Sequence, residues 1–162
     1  MKRTVCMLLM VLCLCGCAPV GESIKEPVTF YYVREQYKAD MSQAIGTEIR
    51  EAAGHRDDLS YMLRLYLLGP TQEGLVSPLP RTILVQSAKI QGRSVVLTLS
   101  DTGKSLSDGE FSLACACLSL TCLDLTQARR VTIISGSRTV TMSQENLELF
   151  DSGPAAATEE PT

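Results

Sequence analysis

The chain has 162 residues, of which 45% are hydrophobic, and its 15 basic and 18 acidic side chains give a formal net charge of −3. Because no basic cluster is larger than the pair Arg129-Arg130, nucleic acid is not an expected partner. The length favours one folded domain. Seven cysteines would suggest a disulfide framework, but four of them fall between Cys6 and Cys17, at the start of the chain.

That start has the order of an export signal. Lys2 and Arg3 precede an apolar run over residues 5–14. As a helix this run would span about 15 Å, whereas a bilayer core needs about 30 Å. A signal that is removed after export is therefore expected, and not a permanent membrane-spanning helix.

The order Leu14-Cys15-Gly16-Cys17 resembles the lipobox of bacterial lipoproteins. The resemblance implies cleavage just before Cys17 and a diacylglyceryl thioether on its sulfur, with fatty acids such as palmitate. Two acyl chains anchor a protein stably, whereas one holds only marginally. The expected location is the extracytoplasmic face of the cell membrane. An ordinary secretory signal, with Cys17 as a bystander, is the alternative.

The chain is accordingly divided into four predicted parts. Residues 1–16 are a signal peptide, 17–27 a lipidated N-terminus with a flexible spacer, 28–150 the folded domain and 151–162 a disordered tail. Without the two basic residues of the signal, 13 basic and 18 acidic side chains remain, a formal charge of −5. An anionic membrane surface would repel such a body, so attachment is expected to depend on the acyl chains.

Two strands and a helix open the predicted domain. Residues 28–33 are rich in β-branched and aromatic side chains, and a second extended segment covers residues 45–52. A helix follows, with Asp57 or Asp58 as its cap and Gly69-Pro70 as its stop. Its apolar positions repeat at three and four residues, so one face must pack on a sheet. These positions are Leu59, Met62, Leu63, Tyr66 and Leu67.

Two hairpins and a second helix complete it. Residues 82–90 and 93–99 form the first predicted hairpin, and residues 131–134 and 139–142 form the last. Between them, residues 109–125 are apolar nearly all round, which indicates a helix that is deeply buried or part of an interface. This order predicts an α+β fold with two helices packed on one face of a mixed β-sheet of about four to six strands.

The cysteines beyond the signal share the second predicted helix. Cys115 and Cys122 lie on one face but stand about 10.5 Å apart along its axis, and Cys117 points elsewhere. A disulfide needs Cα atoms within about 7 Å, and a zinc site needs converging ligands. We therefore expect small buried core residues, without a metal site.

No motif points to catalysis. His55 is the single histidine, and neither a Gly-x-Ser-x-Gly elbow nor a Ser-x-x-Lys pair is present. The segment Thr102-Gly103-Lys104-Ser105 looks like the end of a phosphate-binding loop, but Thr98 stands where that loop requires glycine. The prediction is a protein without enzymatic activity and without a cofactor.

Three segments together resemble the GerMN domain of sporulation and spore germination proteins. They are Gly54-His55-Arg56-Asp57-Asp58-Leu59, Leu65-Tyr66-Leu67-Leu68-Gly69-Pro70 and Gly74-Leu75-Val76-Ser77-Pro78-Leu79-Pro80. The resemblance covers about residues 28–143, and it makes a signature loop the candidate binding surface. The signature loop comprises Gly69, Pro70, Gly74, Leu75, Ser77, Pro78, Leu79 and Pro80.

The resemblance implies a lipid-anchored, extracytoplasmic, non-catalytic binding or assembly module in the envelope complexes of sporulation or germination. Envelope or sporulation proteins are the expected partners, with peptidoglycan and a second copy of the chain as further candidates. The alternative is a cell-wall ligand-binding protein or hydrolase, with His55 and the loop from Pro78 to Pro80 lining its site.

Overall fold

The computed structural model describes residues 25–36, 43–102 and 105–151. The predicted signal peptide, Cys17, most of the spacer and the tail beyond residue 151 lie outside these ranges. Within them the elements are β1 (Pro27–Arg34), β2 (Ile45–Glu51), α1 (Leu59–Leu67), β3 (Leu75–Val76), β4 (Val85–Gln91), β5 (Ser94–Leu99), α2 (Asp108–Leu125), β6 (Arg130–Ser135), β7 (Arg138–Ser143) and α3 (Gln144–Asp151). None of the helices in this part of the chain is long and apolar enough to cross a membrane.

The α+β class is confirmed, but the strands are divided between two sheets. The first has the order β2-β1-β3 and is antiparallel. The second has the order β4-β5-β6-β7, in which β5 and β6 run parallel and the other neighbours antiparallel. The expectation of a single sheet of four to six strands is thus corrected to sheets of three and four strands.

The reason for the division lies at the free edge of β1. Beyond its short pairing with β3, this edge faces helix α2 instead of another strand. The Tyr31 N–H donates to Thr121 Oγ1 at 3.1 Å, and the Thr29 N–H donates to Asp124 Oδ2 at 3.4 Å. Because helix side chains satisfy these backbone donors, no strand of the second sheet is needed there.

Helix α2 lies between the two sheets, and the prediction that it would be deeply buried is confirmed. It packs against β1 on one side and against β6 and β7 on the other. A capping box begins the helix: Ser107 Oγ accepts from the Glu110 N–H, and the Glu110 carboxylate accepts from the Ser107 N–H at 2.8 Å. This cap was not predicted.

Helix α1 begins and ends where the sequence predicts. Of the two candidate caps, Asp58 is the one that accepts from the Tyr61 N–H, at 2.9 Å. On the buried face, the Tyr66 ring stacks on Tyr32 with centroids 4.7 Å apart, and Phe30 meets both rings edge-on. The Tyr32 hydroxyl donates to Tyr66 O at 2.9 Å, so this aromatic core leaves that polar group satisfied.

Both predicted hairpins are present, with Gly92 at φ +60° and Gly136 at φ +58° in their turns. Strand β4 begins at Val85 and not at residue 82, because the Ile83 N–H donates to Pro80 O in a turn. Strand β3 and helix α3 were not predicted: β3 is only two residues long, and α3 follows β7 directly.

Cys115, Cys117 and Cys122 are buried and free, as expected for core residues of one helix. Burial raises the pKa of each thiol to about 12. A thiol with such a pKa is almost fully protonated at neutral pH and is therefore a poor nucleophile.

We predict that Leu118→Ala lowers the free energy of unfolding by about 2–5 kcal/mol, because Leu118 is fully buried and a cavity would remain. The matched control is Leu113→Ala on the same helix. Leu113 is only half-buried, so about 1 kcal/mol is expected. Urea denaturation followed by circular dichroism measures both values. Equal losses in the two variants would contradict the central position of α2.

Candidate functional site

The signature loop starts where the end of α1 meets strand β2. The last carbonyls of a helix have no partner within the helix. Here Arg50 of β2 supplies the donors: its Nη2 donates to Gly69 O at 2.5 Å, and its Nη1 donates to Leu65 O at 3.4 Å. The guanidinium also lies over the Phe30 ring, 5.5 Å from its centroid. Arg50 therefore joins the start of the loop to the aromatic core.

Glu48 holds both Arg50 and the residue that follows Gly69-Pro70. It is 4% exposed, and its Oε1 accepts from Arg50 Nε at 2.8 Å. The Thr71 N–H donates to Oε2 at 3.0 Å, and Thr71 Oγ1 donates to Oε1 at 2.6 Å. Burial alone would raise the pKa of Glu48, but the hydrogen bonds from Arg50 and Thr71 outweigh it and hold the pKa below its usual value.

The rest of the signature loop is held mainly by hydrogen bonds of its backbone groups. Gly69 and Gly74 have φ values of +88° and +78°, which glycine adopts without strain. The Gly74 carbonyl accepts from the Glu35 N–H at 2.9 Å, and Ser77 Oγ donates to the carbonyl of the buried Leu79 at 2.9 Å. Leu75 pairs with Arg34 as part of β3. Pro70, Pro78 and Pro80 are half-buried.

These contacts make the signature loop a structural connection between α1 and the first sheet. Its role as a binding surface stays a prediction. Two apolar side chains beside it are exposed, Leu68 at 71% and Val76 at 39%, and neither belongs to the eight residues that carry the resemblance.

His55 lies outside the signature loop. It precedes the N-terminus of α1, where its ring stacks on Tyr61 with centroids 4.1 Å apart. Pro78 and Pro80 follow the other end of the helix, whose nine residues span about 14 Å. Among the described residues, no hydrogen bond or ring contact joins His55 to Pro78 or Pro80.

A groove of about 700 Å³ lies along α2, and it was not predicted from the sequence. Its floor is a stripe of α2 residues at alternating intervals of four and three: Gly109, Leu113, Ala116, Leu120 and Leu123. Such intervals place the side chains on one face of a helix. The stripe is concealed in the sequence because the other faces of α2 are equally apolar, so no amphipathic pattern separates it from the core.

The walls of the groove are mixed. The first sheet contributes Tyr31, Ile45 and Thr47, while Met142 of β7 and Leu147 of α3 close the other side. Most of this surface is apolar, which suits the burial of apolar side chains of a ligand.

The polar groups of the groove do not form a catalytic set. Arg34 donates from Nε to Ile45 O at 3.2 Å, and Asp124 accepts from the Thr29 backbone. Asp124 is the one carboxylate among the described lining residues, whereas glycoside hydrolysis ordinarily uses two. Within the described part of the chain, no three His, Cys, Asp or Glu side chains come together to hold a metal ion.

No protein-family model and no curated protein matches the chain. Among solved structures it is similar to the tandem GerMN domains of the sporulation protein GerM from Bacillus subtilis, with 17% identity and a TM-score of 0.49. That match covers 69% of this chain and 39% of the other, so the chain spans about two fifths of the tandem structure. It is also similar to a "Putative Lipoprotein from Clostridium perfringens", with 14% identity, a TM-score of 0.46 and coverage of 74% and 88%.

Both similarities are similarities of fold at low sequence identity. The first of them concerns the same kind of domain, GerMN, that the sequence motifs resemble.

We predict that Glu48→Gln lowers the free energy of unfolding by about 1–3 kcal/mol at pH 7. Because the pKa of Glu48 is lowered by folding, its carboxylate contributes fully above about pH 4.5 and loses its contribution as the pH falls through the folded-state pKa. The difference between wild type and variant should therefore shrink between pH 5 and pH 3, as measured by urea denaturation.

The matched control is Glu51→Gln, on the exposed face of the same strand, which should leave stability nearly unchanged at both pH values. If Glu48→Gln costs the same at pH 7 and pH 3, the charge of Glu48 is not what fastens Thr71 and Arg50.

Proposed function

We propose that this protein is a lipid-anchored, extracytoplasmic and non-catalytic assembly module that binds another envelope protein during sporulation or germination. The observation that carries the binding role is the apolar groove along α2. A contiguous apolar groove on a small domain marks a site that binds a protein, a membrane or a ligand. The anchoring rests on the lipobox at Cys17, and the cellular role rests on the GerMN motifs of the sequence.

The occupant that fits the groove is an amphipathic helix of the partner protein. The α2 stripe has the small residues Gly109 and Ala116 between larger leucines, which leaves room for side chains of a facing helix. Helix-in-groove recognition uses apolar anchors at the same three- and four-residue intervals. The rim groups Arg34 and Asp124 can fix the direction of such a helix through opposite charges at its ends.

The anchoring is tested with Cys17→Ala. The wild type should fractionate with membranes, and its intact mass should exceed that of the polypeptide by a diacylglyceryl group. The variant should lose that mass. If Cys17→Ala leaves both the membrane fraction and the mass unchanged, Cys17 is not the lipidated residue.

The groove is tested by photo-crosslinking in cells that produce the full chain. A photoreactive amino acid replaces Leu120 in the groove or, as the control, Thr141 on the uncovered face of the second sheet. We expect a defined envelope-protein adduct from position 120 and none from position 141, enriched in sporulating over vegetative cells. Leu113→Ala should weaken the adduct at little cost in stability.

Adducts of equal strength from positions 120 and 141 would contradict a binding role for the groove. Recovery of wall fragments alone would instead favour the ligand-binding alternative. Equal amounts of adduct in sporulating and vegetative cells would show that the binding role is not specific to sporulation.

A further inference from the structure

We infer that the end of the domain bearing Arg93, Arg129 and Arg130 contacts the anionic headgroups of the membrane to which the chain is tethered. This inference deepens the proposed function and rests on its lipid anchor at Cys17. It gives the domain a defined orientation at the bilayer.

The three arginines are brought together by the start of the parallel strands β5 and β6. The Arg129 N–H donates to the Arg93 carbonyl at 2.8 Å, and Arg130 is the register partner of Ser94. All three side chains are exposed, and none has a salt bridge within the described residues. Arg93 precedes Arg129 and Arg130 by 36 and 37 positions in the sequence, which is why no basic cluster larger than two is visible there.

The chain enters the folded domain at this same end. Arg56 Nη1 donates to Pro27 O at 2.6 Å, at the first residue of β1. Arg56 lines a cavity of about 550 Å³ together with Arg93 and Gln127. The cavity therefore joins the start of β1 to the arginine end.

Most of the carboxylates nearby accept hydrogen bonds from backbone N–H groups. Glu26 accepts from the Gly54 N–H at 3.1 Å, Asp58 caps helix α1, and Asp124 accepts from the Thr29 N–H. Asp57 and Asp124 both line the cavity, together with Arg56 and Arg93. The exposed guanidiniums of the arginine end form no salt bridge within the described residues, and they can meet phosphate groups from outside the protein.

The segment between Cys17 and Lys25 is short enough to keep Arg93, Arg129 and Arg130 near the bilayer. Lys25 follows Cys17 by eight positions, which gives a reach of at most about 29 Å. Electrostatic attraction to anionic lipids extends over about 8 Å at physiological salt. The formal charge of −5 suggested repulsion of the whole body, but a membrane responds most strongly to the charges that face it, and at this end these include three exposed arginines without a salt bridge among the described residues.

The test uses the full-length lipoprotein purified from membranes, with its intact mass confirming acylation of Cys17. Gln127→Cys carries a donor fluorophore beside the arginine end, and Glu73→Cys carries it near the opposite end. The buried native thiols, with pKa values of about 12, should not react. Vesicles of phosphatidylcholine alone, or with 30% phosphatidylglycerol, contain a headgroup-linked acceptor.

We expect phosphatidylglycerol to raise energy transfer from position 127 but not from position 73, and salt to reverse the rise. Each arginine at an anionic surface is worth about a fivefold preference. Removing two with Arg93→Gln and Arg130→Gln should therefore lower the equilibrium constant for contact about 25-fold. The charge-matched control, Arg64→Gln with Arg81→Gln, alters two exposed arginines elsewhere and should have little effect.

Equal transfer in the two kinds of vesicle, or equal losses in the two double variants, would overturn the inference. If the mass shows no acyl group, the anchoring proposal fails by itself. The arginine end is then tested by flotation of the unacylated chain with phosphatidylglycerol vesicles at low salt. Binding that is abolished by Arg93→Gln with Arg130→Gln supports the inference. Absence of binding refutes the inference.

Discussion

The free edge of strand β1 is the constraint on which the rest of the structure depends. The strand pairs along most of its length with β2 but meets β3 only at Val33 and Arg34. Its remaining donors need acceptors, and Thr121 and Asp124 of α2 supply them. Because a helix occupies this edge, α2 is enclosed between two sheets, and the groove is the space that remains where α2 passes the exposed side of β1.

A second constraint acts at the far end of α1. There Glu48 and Arg50 form a largely buried ion pair instead of an apolar contact. Thr71 donates a hydrogen bond to Glu48, and the carbonyls of Leu65 and Gly69 accept hydrogen bonds from Arg50. A buried pair of this kind costs desolvation energy, so it specifies one arrangement of the loop more than it adds stability. The glycine and proline of the signature are explained by this arrangement, because they turn the chain away from the helix while its last carbonyls face Arg50.

The two surfaces with inferred functions are neighbours, because Asp124 and Ala128 line both the groove and the cavity at the arginine end. The groove follows α2 from Gly109 to Leu123, whereas the arginine end lies beyond the C-terminus of that helix, beside the start of β1. A domain held with its arginine end on the bilayer would present the groove along its side. This arrangement suits a module that joins a membrane to an envelope partner, and it requires no chemistry from His55 or the buried thiols.

Much of the fold was determined by the sequence itself, because its signals are local. The cap, apolar face and stop of α1, the glycine turns of both hairpins and the buried character of α2 each depend on residues within a few positions of one another. What only the tertiary structure decided depends on distant residues: the acceptors for β1 that split the sheet, the groove stripe, and the meeting of Arg93 with Arg129 and Arg130. The apolar pattern of α2 could not reveal which face stays open, since the partners that cover the other faces are chosen by the packing of the whole chain.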